Sequence, residues 1–248
     1  MLCNSLGDTE REIAQLEMLK QQKVDAIIQF GGKVDDVVSN KAYVEHVNTL
    51  TAGIPMVITG KLDGTDCYQV QIDSQKAAEL LLNHLYELGH RDIALVGGRR
   101  DVISTLDKIQ KYKDMMKQWE IPFKEEYVVN GGYDFETGYA GMSRLFESKQ
   151  PPTAVVAIND YAAAGVISCI KENGYKVPED ISVVSYDNTQ ITEIVTPKVT
   201  GIDYNYAVFG KQLVETAIQA LENEKVPKKQ WVEPFLTMKE STAKVQQI

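Results

Sequence analysis

Short apolar runs recur six times along the chain, and each ends in or is followed by Gly, Asn or Asp. The runs are continuously apolar, which is typical of parallel strands covered by helices on both faces. Amphipathic segments separate them, so the order predicts repeated strand–helix units and an α/β fold with parallel sheets. The runs are VDAIIQF (24–30), IPMVIT (54–59), DIALVGG (92–98), EYVVNGG (126–132), AVVAIN (154–159) and ISVVSYD (181–187).

Two of the intervening segments predict helices with clear limits. In SQKAAELLLNHLYELGH, Asp73 can cap the start and Gly89 suits a left-handed turn at the end. The apolar residues of this helix lie on one face, at Ala77, Leu81, Leu85 and Leu88. A second stripe, in the last predicted helix, consists of Val208, Leu213, Val214, Ala217, Ile218 and Leu221.

Length and charge limit the class of protein. A chain of 248 residues can form one large α/β domain or two lobes, and either buries a substantial core. The net charge is -9 and no long basic run occurs. Nucleic-acid binding relies on Lys and Arg to neutralise phosphates, so we expect this chain by itself to bind DNA poorly.

The cysteines and the apolar pattern argue against metal, disulfide and membrane functions. Cys3, Cys67 and Cys169 are far apart, with no CxxC and no nearby histidine pair, so we expect neither a zinc site nor a disulfide framework. No window approaches about 18 uninterrupted apolar residues, and MLCNSLGDTERE lacks the pattern of a secretory signal. We therefore expect a cytoplasmic protein without a metal, a cofactor or a membrane partner.

Polar residues end two of the predicted strands. Because parallel strands joined by right-handed crossovers end at one edge of the sheet, Asn159 and Asp187 are expected to converge there. Ligands of open α/β sheets bind beyond that edge, so both residues are candidate ligand contacts; the alternative is that they only tie loops together. Asp160 is predicted to cap the next helix, whose small residues 162–165 suit close packing on the sheet.

Three segments resemble one known family across nearly the whole chain. They lie at 84–98, 151–188 and 196–221, and they contain GHRxIAxxGG, PTAxxAxND and VPEDISVVxxD in that order. The chain strongly resembles the effector-binding domain of the lac-repressor-type (LacI/GalR) bacterial transcription regulators. The resemblance implies two Rossmann-like lobes of the type I periplasmic-binding-protein kind, joined by three crossover strands. A small effector, commonly a sugar or a purine-like metabolite, is then expected between the lobes.

The resemblance also implies lobe limits and partners. The expected amino-terminal lobe is 1–89 with 203–226, and the carboxyl-terminal lobe is 90–202 with 227–248. MLCNSLGDTERE resembles the end of the family's second strand, so its headpiece and first βα unit have no counterpart here, and a gap is expected in the first sheet. Operator DNA would be bound only through such a headpiece, and the full-length family protein is expected to be a homodimer.

The family's site residues transfer to seven positions. Asn159 and Asp187 are implied to hydrogen-bond ligand hydroxyls or amines. The implied aromatic contacts are Tyr133 and Tyr206 as platforms for a ring, with Phe30 and Tyr204 lining the cleft. Such rings suit the C–H faces of a sugar, although each tyrosine can equally be an amphipathic surface residue. The seventh residue is Lys108.

Three departures from the family pattern affect the ligand. Lys108 replaces a usual Arg, so a single mobile charge replaces a planar fork that can bind two adjacent hydroxyls. Gly60 stands where some members have Asp, which removes one expected sugar contact. Arg99 and Arg100 add positive charge after the GG pair and would suit a phosphorylated or carboxylated ligand, although a solvated loop explains them as well.

Three functions compete. A ligand-sensing regulator domain is favoured, with an extracytoplasmic solute-binding protein of the same architecture as the alternative. An enzyme is disfavoured because no GxGxxG follows a strand, and neither GxxxxGK[ST] nor GxSxG is present. His46, His84 and His90 are scattered and are interpreted as structural, so no catalytic residue is predicted. Asp187 and Asp160 could be an acid–base pair, but sugar binding needs the same groups.

Overall fold

A computed structural model describes residues 1–148 and 150–245, which form two compact units. The first unit comprises Met1–Asp73 and Asn205–Val232. The second comprises Ser74–Tyr204 and the chain from Glu233 onward. The chain therefore passes between the units three times, which is the number of crossovers that the family resemblance implies.

The described residues alternate between helices and short strands. The helices are α1 (Thr9–Gln21), α2 (Lys41–Leu50), α3 (Ser74–Glu87), α4 (Ile103–Gln118), α5 (Phe135–Phe146), α6 (Asp160–Glu172), α7 (Ile191–Ile194) and α8 (Tyr206–Leu221). The strands are β1 (Ile27–Gln29), β2 (Met56–Ile58), β3 (Tyr68–Ile72), β4 (Ile93–Val96), β5 (Val128–Val129), β6 (Ala154–Ala157), β7 (Ser182–Asp187), β8 (Thr200–Asp203), β9 (Lys229–Val232) and β10 (Phe235–Thr237).

The first unit is built on a four-stranded parallel sheet in the order β1-β2-β3-β9. Helix α8 contributes Phe209 and Leu213 to a cluster with Val57 of β2 and Val70 of β3. A second cluster joins α1 and α2 to β1 and β2. β1 is an edge strand, and a cavity of about 520 Å³ lies beside it, at the sheet where a gap is expected.

The second unit is built on a six-stranded sheet in the order β10-β8-β7-β6-β4-β5. Five strands are parallel, and β10 is antiparallel to β8. Helices α5 and α6 cover β4, β6 and β7 with a core that includes Met142, Val155 and Val166, each fully buried. Helix α3 packs on α4, β8 and β10. The second unit contains five of the seven predicted site residues.

Each of the six predicted runs contains a strand, and all six strands are parallel, so the α/β prediction is confirmed. The predictions missed β3, β8, β9 and β10. Strand β3 reads YQVQI, with only Val70 fully buried, and β9 has one buried residue of four. Such strands leave no continuous apolar run, because most of their residues are exposed or only partly buried.

The observed unit boundaries differ from the predicted lobe limits at two elements. Helix α3 belongs to the second unit, although residues 74–89 were expected in the amino-terminal lobe. The main contacts of α3 are with α4, β8 and β10, which all belong to the second unit. Strand β9 belongs to the first unit, although it was expected in the other lobe, because it pairs with β3 from Gln69↔Lys229 to Ile72↔Val232.

The helix ends confirm one prediction and correct another. Gly89 has φ +95° just after α3, as the predicted left-handed turn requires. Asp160 does not cap α6. Asn159 is the cap, because it has an extended backbone and its Oδ1 accepts a hydrogen bond from the Ala162 N–H at 2.9 Å. Asp160 is instead the first helical residue and is only 2% exposed.

The small residues of α6 allow it to approach α5 as well as the sheet. A Cβ at Gly165 would overlap the backbone oxygen of Phe135, and one at Gly138 would overlap the backbone oxygen of Ala162. Both obstacles are backbone atoms, which cannot rotate away. The two helices are therefore in direct backbone contact, and this contact sets the position of the start of α6.

We expect Gly165→Ala to destabilise the protein by about 1–3 kcal/mol, because the added methyl group overpacks the α5–α6 contact. Gly210→Ala in α8 is the matched control, since among the described residues no heavy atom outside its own helix backbone and chain neighbours lies within 4 Å of a Cβ built there. Alanine favours a helix over glycine by roughly 1 kcal/mol, so this control should be neutral or stabilising. Urea unfolding of the three proteins measures the difference, and equal loss in both variants would contradict the contact.

The chain near its described end is held against the second unit by two histidines. The Nε2 atom of His84 lies 3.0 Å from Thr242 Oγ1, and Nε2 of His90 lies 3.0 Å from the Ala243 carbonyl oxygen. His90 Nδ1 also lies 3.0 Å from Thr153 Oγ1. Burial lowers the pKa of both imidazoles below the ordinary 6.5, because a buried imidazolium loses hydration.

These lowered pKa values predict that acid weakens the fold. Between about pH 6.5 and the lower native pKa values, the histidines of the unfolded chain bind protons while those of the native protein do not. The contribution of these histidines to the free energy of unfolding is therefore complete above about pH 6.5 and is lost as the pH drops through the native pKa values. We expect the free energy of unfolding to be lower at about pH 5.5 than at about pH 7.5. His90→Gln should show a shallower decline, and an identical decline would show that His90 does not contribute.

Candidate functional site

Three polar residues lie side by side at the carboxyl edge of the second sheet. Strand β6 pairs with β7 up to Ala157↔Ser185, and Asn159 and Asp187 each follow two residues after that pair. Asp187 is itself paired with Asp203 of β8. Adjacent strands lie about 4.8 Å apart, so this register agrees with the expected convergence of Asn159 and Asp187, whose role as ligand contacts stays a prediction.

Asn159 joins the start of α6 to the loop after β5. Its Oδ1 caps the helix at Ala162, and its Nδ2 donates to the Tyr133 carbonyl oxygen at 2.8 Å. These two bonds connect neighbouring segments of the chain, which is the alternative role that the sequence suggested for Asn159. An amide oxygen can accept two hydrogen bonds, so the second lone pair of Oδ1 remains a candidate ligand contact.

Asp187 lies at a turn with an unusual backbone. It has φ +91° and the next residue, Asn188, has φ +49°. Two consecutive residues other than glycine in this region cost energy that the surroundings must supply. Part of that support is the bond from Asn188 Nδ2 to Asp203 Oδ2, at 2.9 Å. The backbone after β7 is thus turned sharply where the predicted ligand contact stands.

Asp160 is a buried carboxylate directly behind this turn. It accepts hydrogen bonds from Ser185 Oγ at 2.5 Å, from Thr189 N–H at 2.6 Å and from Thr189 Oγ1 at 2.8 Å. Burial raises the pKa of the Asp160 carboxyl, while these donors oppose the rise. Its oxygens are occupied by the protein, which makes it a poor candidate for an acid–base partner of Asp187.

Lys108 projects from α4 onto two stacked tyrosines. Its Nζ lies 4.4 Å from the ring centroid of Tyr186 and 5.9 Å from that of Tyr204. The two rings stack with centroids 6.5 Å apart, and the lysine is only 7% exposed. Burial raises the pKa of Tyr186, so the ring remains neutral and suits a cation–π contact. Lys108 and Tyr204, two of the predicted site residues, therefore lie close together in the second unit.

Tyr133 belongs to the same unit but is more exposed. Its hydroxyl lies 3.1 Å from Thr105 Oγ1 and 3.4 Å from the Arg99 amide nitrogen. Arg99 and Arg100 themselves pair with Asp101 and Glu125 on the surface. These exposed ion pairs support the solvated-loop interpretation of the two arginines over a role in binding an anionic ligand.

Phe30 and Tyr206 lie in the first unit. Phe30 follows β1, is 63% exposed and meets Phe209 edge to face, with ring centroids 6.2 Å apart. Tyr206 is the first residue of α8 and is 49% exposed. Exposed rings at these positions can contact a ligand, and their role stays a prediction.

The structure explains why glycine occupies position 60. A Cβ there would overlap the backbone oxygen of Val34 and would lie 2.7 Å from Asp35 Oδ1. The next residue, Lys61, donates its N–H to the same Val34 oxygen at 2.6 Å. Any side chain would separate these two segments, so Asp at this position is incompatible with the local packing.

The sequence reasoning missed two residues at the same edge. Asn130 follows β5, and its buried Oδ1 has no hydrogen-bond partner among the described residues. Tyr161 is the second residue of α6 and is 59% exposed. The rule that singled out Asn159, a polar residue ending an apolar run, would also have found Asn130 in EYVVNGG. No comparable signal marks Tyr161.

Residues 1–148 and 150–245 offer no candidate for a metal centre or a membrane-spanning helix. Within these ranges no group of three or more His, Cys, Asp or Glu side chains could hold a metal ion. Over the same ranges, no helix has the length and apolar character required to cross a membrane. The site residues instead offer hydrogen-bond donors, acceptors and aromatic rings, which bind a polar ligand without a covalent step.

The fold and this edge define a class of protein, a two-unit α/β domain with polar residues at the carboxyl edge of a parallel sheet. Residues 82–242 match the family described as periplasmic binding protein-like domain, and the chain belongs to that family. Among solved structures, it superposes on the transcription regulator CcpA of Lactococcus lactis with a TM-score of 0.86 and 26% identity, covering 98% of this chain and 87% of that one. The predicted resemblance to LacI-type effector-binding domains is therefore confirmed.

Two curated relatives and one ligand complex add detail. The chain is 30% identical to the HTH-type transcriptional repressor PurR of Proteus mirabilis over 91% of its length and 65% of the relative's. It is 29% identical to catabolite control protein A of Priestia megaterium, over 82% and 59%. A LacI family transcriptional regulator from Enterococcus faecium with bound ribose matches with a TM-score of 0.81 and 25% identity, over 94% and 85%. The chain spans less than two thirds of the two curated relatives.

The two bonds of Asn159 can be separated by substitution. Asn159→Ala removes the cap and should cost about 1 kcal/mol of stability, whereas Asn159→Asp keeps an acceptor for Ala162 N–H and should cost less. Both variants lose the donor to Tyr133. Urea unfolding gives the comparison. Equal destabilisation by both would show that the bond to Tyr133, rather than the cap, holds this residue.

Proposed function

We propose that the chain is the effector-binding domain of a LacI-type transcriptional regulator and that it binds a sugar or sugar-like metabolite. The observation that carries this proposal is the row of Asn159, Asp187 and Asp203 at one strand edge. Ligands of open parallel sheets bind at this edge. The relatives are regulators, and one of them is described with bound ribose, which supports a sugar over other polar ligands.

The residues divide into two chemical roles. Carboxylate and amide oxygens at Asp187 and Asn159 accept hydrogen bonds from hydroxyl groups. Exposed rings at Tyr133 and Tyr161 can cover the C–H faces of a sugar ring. Phe30 and Tyr206 are further exposed rings, which lie in the first unit.

Lys108 limits which ligands fit. Its ammonium group is held against Tyr186 and Tyr204, and its stem is buried, so it presents a cation from one defined direction. A lysine binds one ligand oxygen at a time, whereas arginine binds two in a planar fork. We infer that the effector differs from those of relatives that have arginine here.

Binding would act on transcription through coupling between sites. Ligand binding can alter how paired subunits present DNA-binding headpieces, a coupling typically worth about 1–3 kcal/mol. This mechanism assigns the DNA contact to a headpiece, in agreement with the charge of -9 on this chain. We propose a homodimer that acts in the cytoplasm.

Two alternatives are weaker. A solute-binding protein shares the fold, but the matched relatives are regulators by description. Enzymatic turnover would need a free acid or base beside Asp187, and the nearby Asp160 is already occupied by Ser185 and Thr189. Binding without conversion is therefore the function that the geometry supports best.

A thermal-shift screen with ribose, glucose, glucose 6-phosphate and hypoxanthine tests this function. A ligand at about 100 times its dissociation constant stabilises the native state by roughly 2.7 kcal/mol, which raises the melting temperature. We expect at least one sugar to do so and to be recovered unchanged. Product formation would favour an enzyme, and a response to hypoxanthine alone would replace the sugar with a purine.

Substitution of Asp187 then tests the site. Asp187→Asn retains a residue that tolerates positive φ but turns half of the carboxylate into a donor, and Asp187→Ala removes the group. We expect the ligand-induced shift to be strongly reduced in the first variant and lost in the second. Asp25→Ala, an exposed carboxylate before β1, is the control and should leave the shift unchanged. Unchanged shifts in both Asp187 variants would remove this residue from the site.

A further inference from the structure

We propose that Asp160 is a positioning residue of the ligand site, whose carboxylate holds Thr189 and thereby fixes the direction in which Asp187 meets the ligand. This inference rests on the proposed function, because it assigns a role at the same edge. It concerns a side chain that the sequence suggested only as a helix cap or an acid–base partner.

The two oxygens of the Asp160 carboxylate accept hydrogen bonds from different segments of the chain. One oxygen, Oδ1, accepts from Ser185 Oγ on β7, so it fixes Asp160 to the sheet. The other oxygen, Oδ2, accepts from both the backbone N–H and the Oγ1 of Thr189, in the turn beyond the strand. One side chain therefore links the start of α6, the strand and the turn.

The turn needs such a link because of its backbone. Asp187 and Asn188 both have positive φ, and neither is glycine. An isolated chain would relax these residues toward negative φ. Thr189 is the first residue after the pair, so holding its N–H and hydroxyl prevents the relaxation. The strain remains next to the proposed ligand contact, where it orients the Asp187 carboxylate before the ligand arrives.

Neighbouring bonds hold the residues on both sides of Thr189. Asn188 donates to Asp203 on β8, and Thr192 Oγ1 donates to the Thr189 carbonyl oxygen at 2.7 Å. Asp160 is 2% exposed and lies at the amino end of α6, where the helix dipole favours a negative charge. A buried charge with three donors is a stiff anchor, since any movement of the turn breaks charge-assisted bonds.

The two groups of bonds can be removed separately. Thr189→Val preserves the branched shape and the backbone N–H but removes the hydroxyl donor. Thr189→Ser retains the hydroxyl and is the conservative rescue. Ser185→Ala removes the bond on the strand side and leaves both bonds to the turn, so it controls for general loss of stability.

The first test measures affinity for ribose, glucose and glucose 6-phosphate by calorimetry. Against the probe that binds the wild type, we expect Thr189→Val to raise the dissociation constant about tenfold, which corresponds to roughly 1.4 kcal/mol. Thr189→Ser should remain within about twofold. Ser185→Ala loosens Asp160 but keeps both bonds to the turn, so it should lose clearly less affinity than Thr189→Val while melting earlier than the wild type. An affinity loss in Ser185→Ala equal to that in Thr189→Val would reduce Asp160 to a structural role and overturn the proposal.

The second test needs no ligand and separates this inference from the proposed function. Hydrogen–deuterium exchange should show a protected Thr189 amide in the wild type and faster exchange in Asp160→Asn, whose amide group places a donor against a donor. Amides within β6 should keep their protection. If no probe binds the wild type, the proposed sugar function fails and the exchange result alone decides on Asp160. Equal Thr189 exchange in both proteins would overturn the positioning role.

Discussion

The parallel register of β6, β7 and β8 is the constraint on which the candidate site depends. Pairing of Ala157 with Ser185 and of Asp187 with Asp203 places the ends of the three strands in one row. A shift of one residue in either pair would move the polar residues apart and turn alternate side chains to the other face. Buried residues on both faces of β6 and β7 oppose such a shift, because it would expose apolar surface.

The support behind this edge is polar as well as apolar. Helix α6 meets α5 through backbone contact at Gly138 and Gly165, which fixes where its first residues stand. Those residues then bind outward, Asn159 to the loop at Tyr133 and Asp160 to the turn at Thr189. The candidate site thus consists of loops whose positions are set by the amino end of helix α6. Such support allows loops to hold a ligand with little rearrangement.

The sequence predicted the parts of the fold that leave a one-dimensional pattern. Six continuously apolar runs identified six parallel strands and the edge where Asn159 and Asp187 lie. Half-exposed strands such as β3 leave no such run, and the placement of α3 depends on contacts with β8 and β10 that are distant in sequence. The role of Asp160 was missed for the same reason, because its partners lie 25 and 29 residues away. A family resemblance transfers positions but not these local bonds.

We propose that the ligand binds at the carboxyl edge of the second sheet. An NMR titration of amide-labelled, deuterated protein with ribose, glucose and glucose 6-phosphate tests it most directly. The account predicts that the largest shift changes occur at Asn159, Asp187 and their neighbours. A cavity of about 270 Å³ lies at the opposite, amino edge beside His90 and Thr153. Changes confined to that cavity, with the residues after β6 and β7 unmoved, would contradict the account.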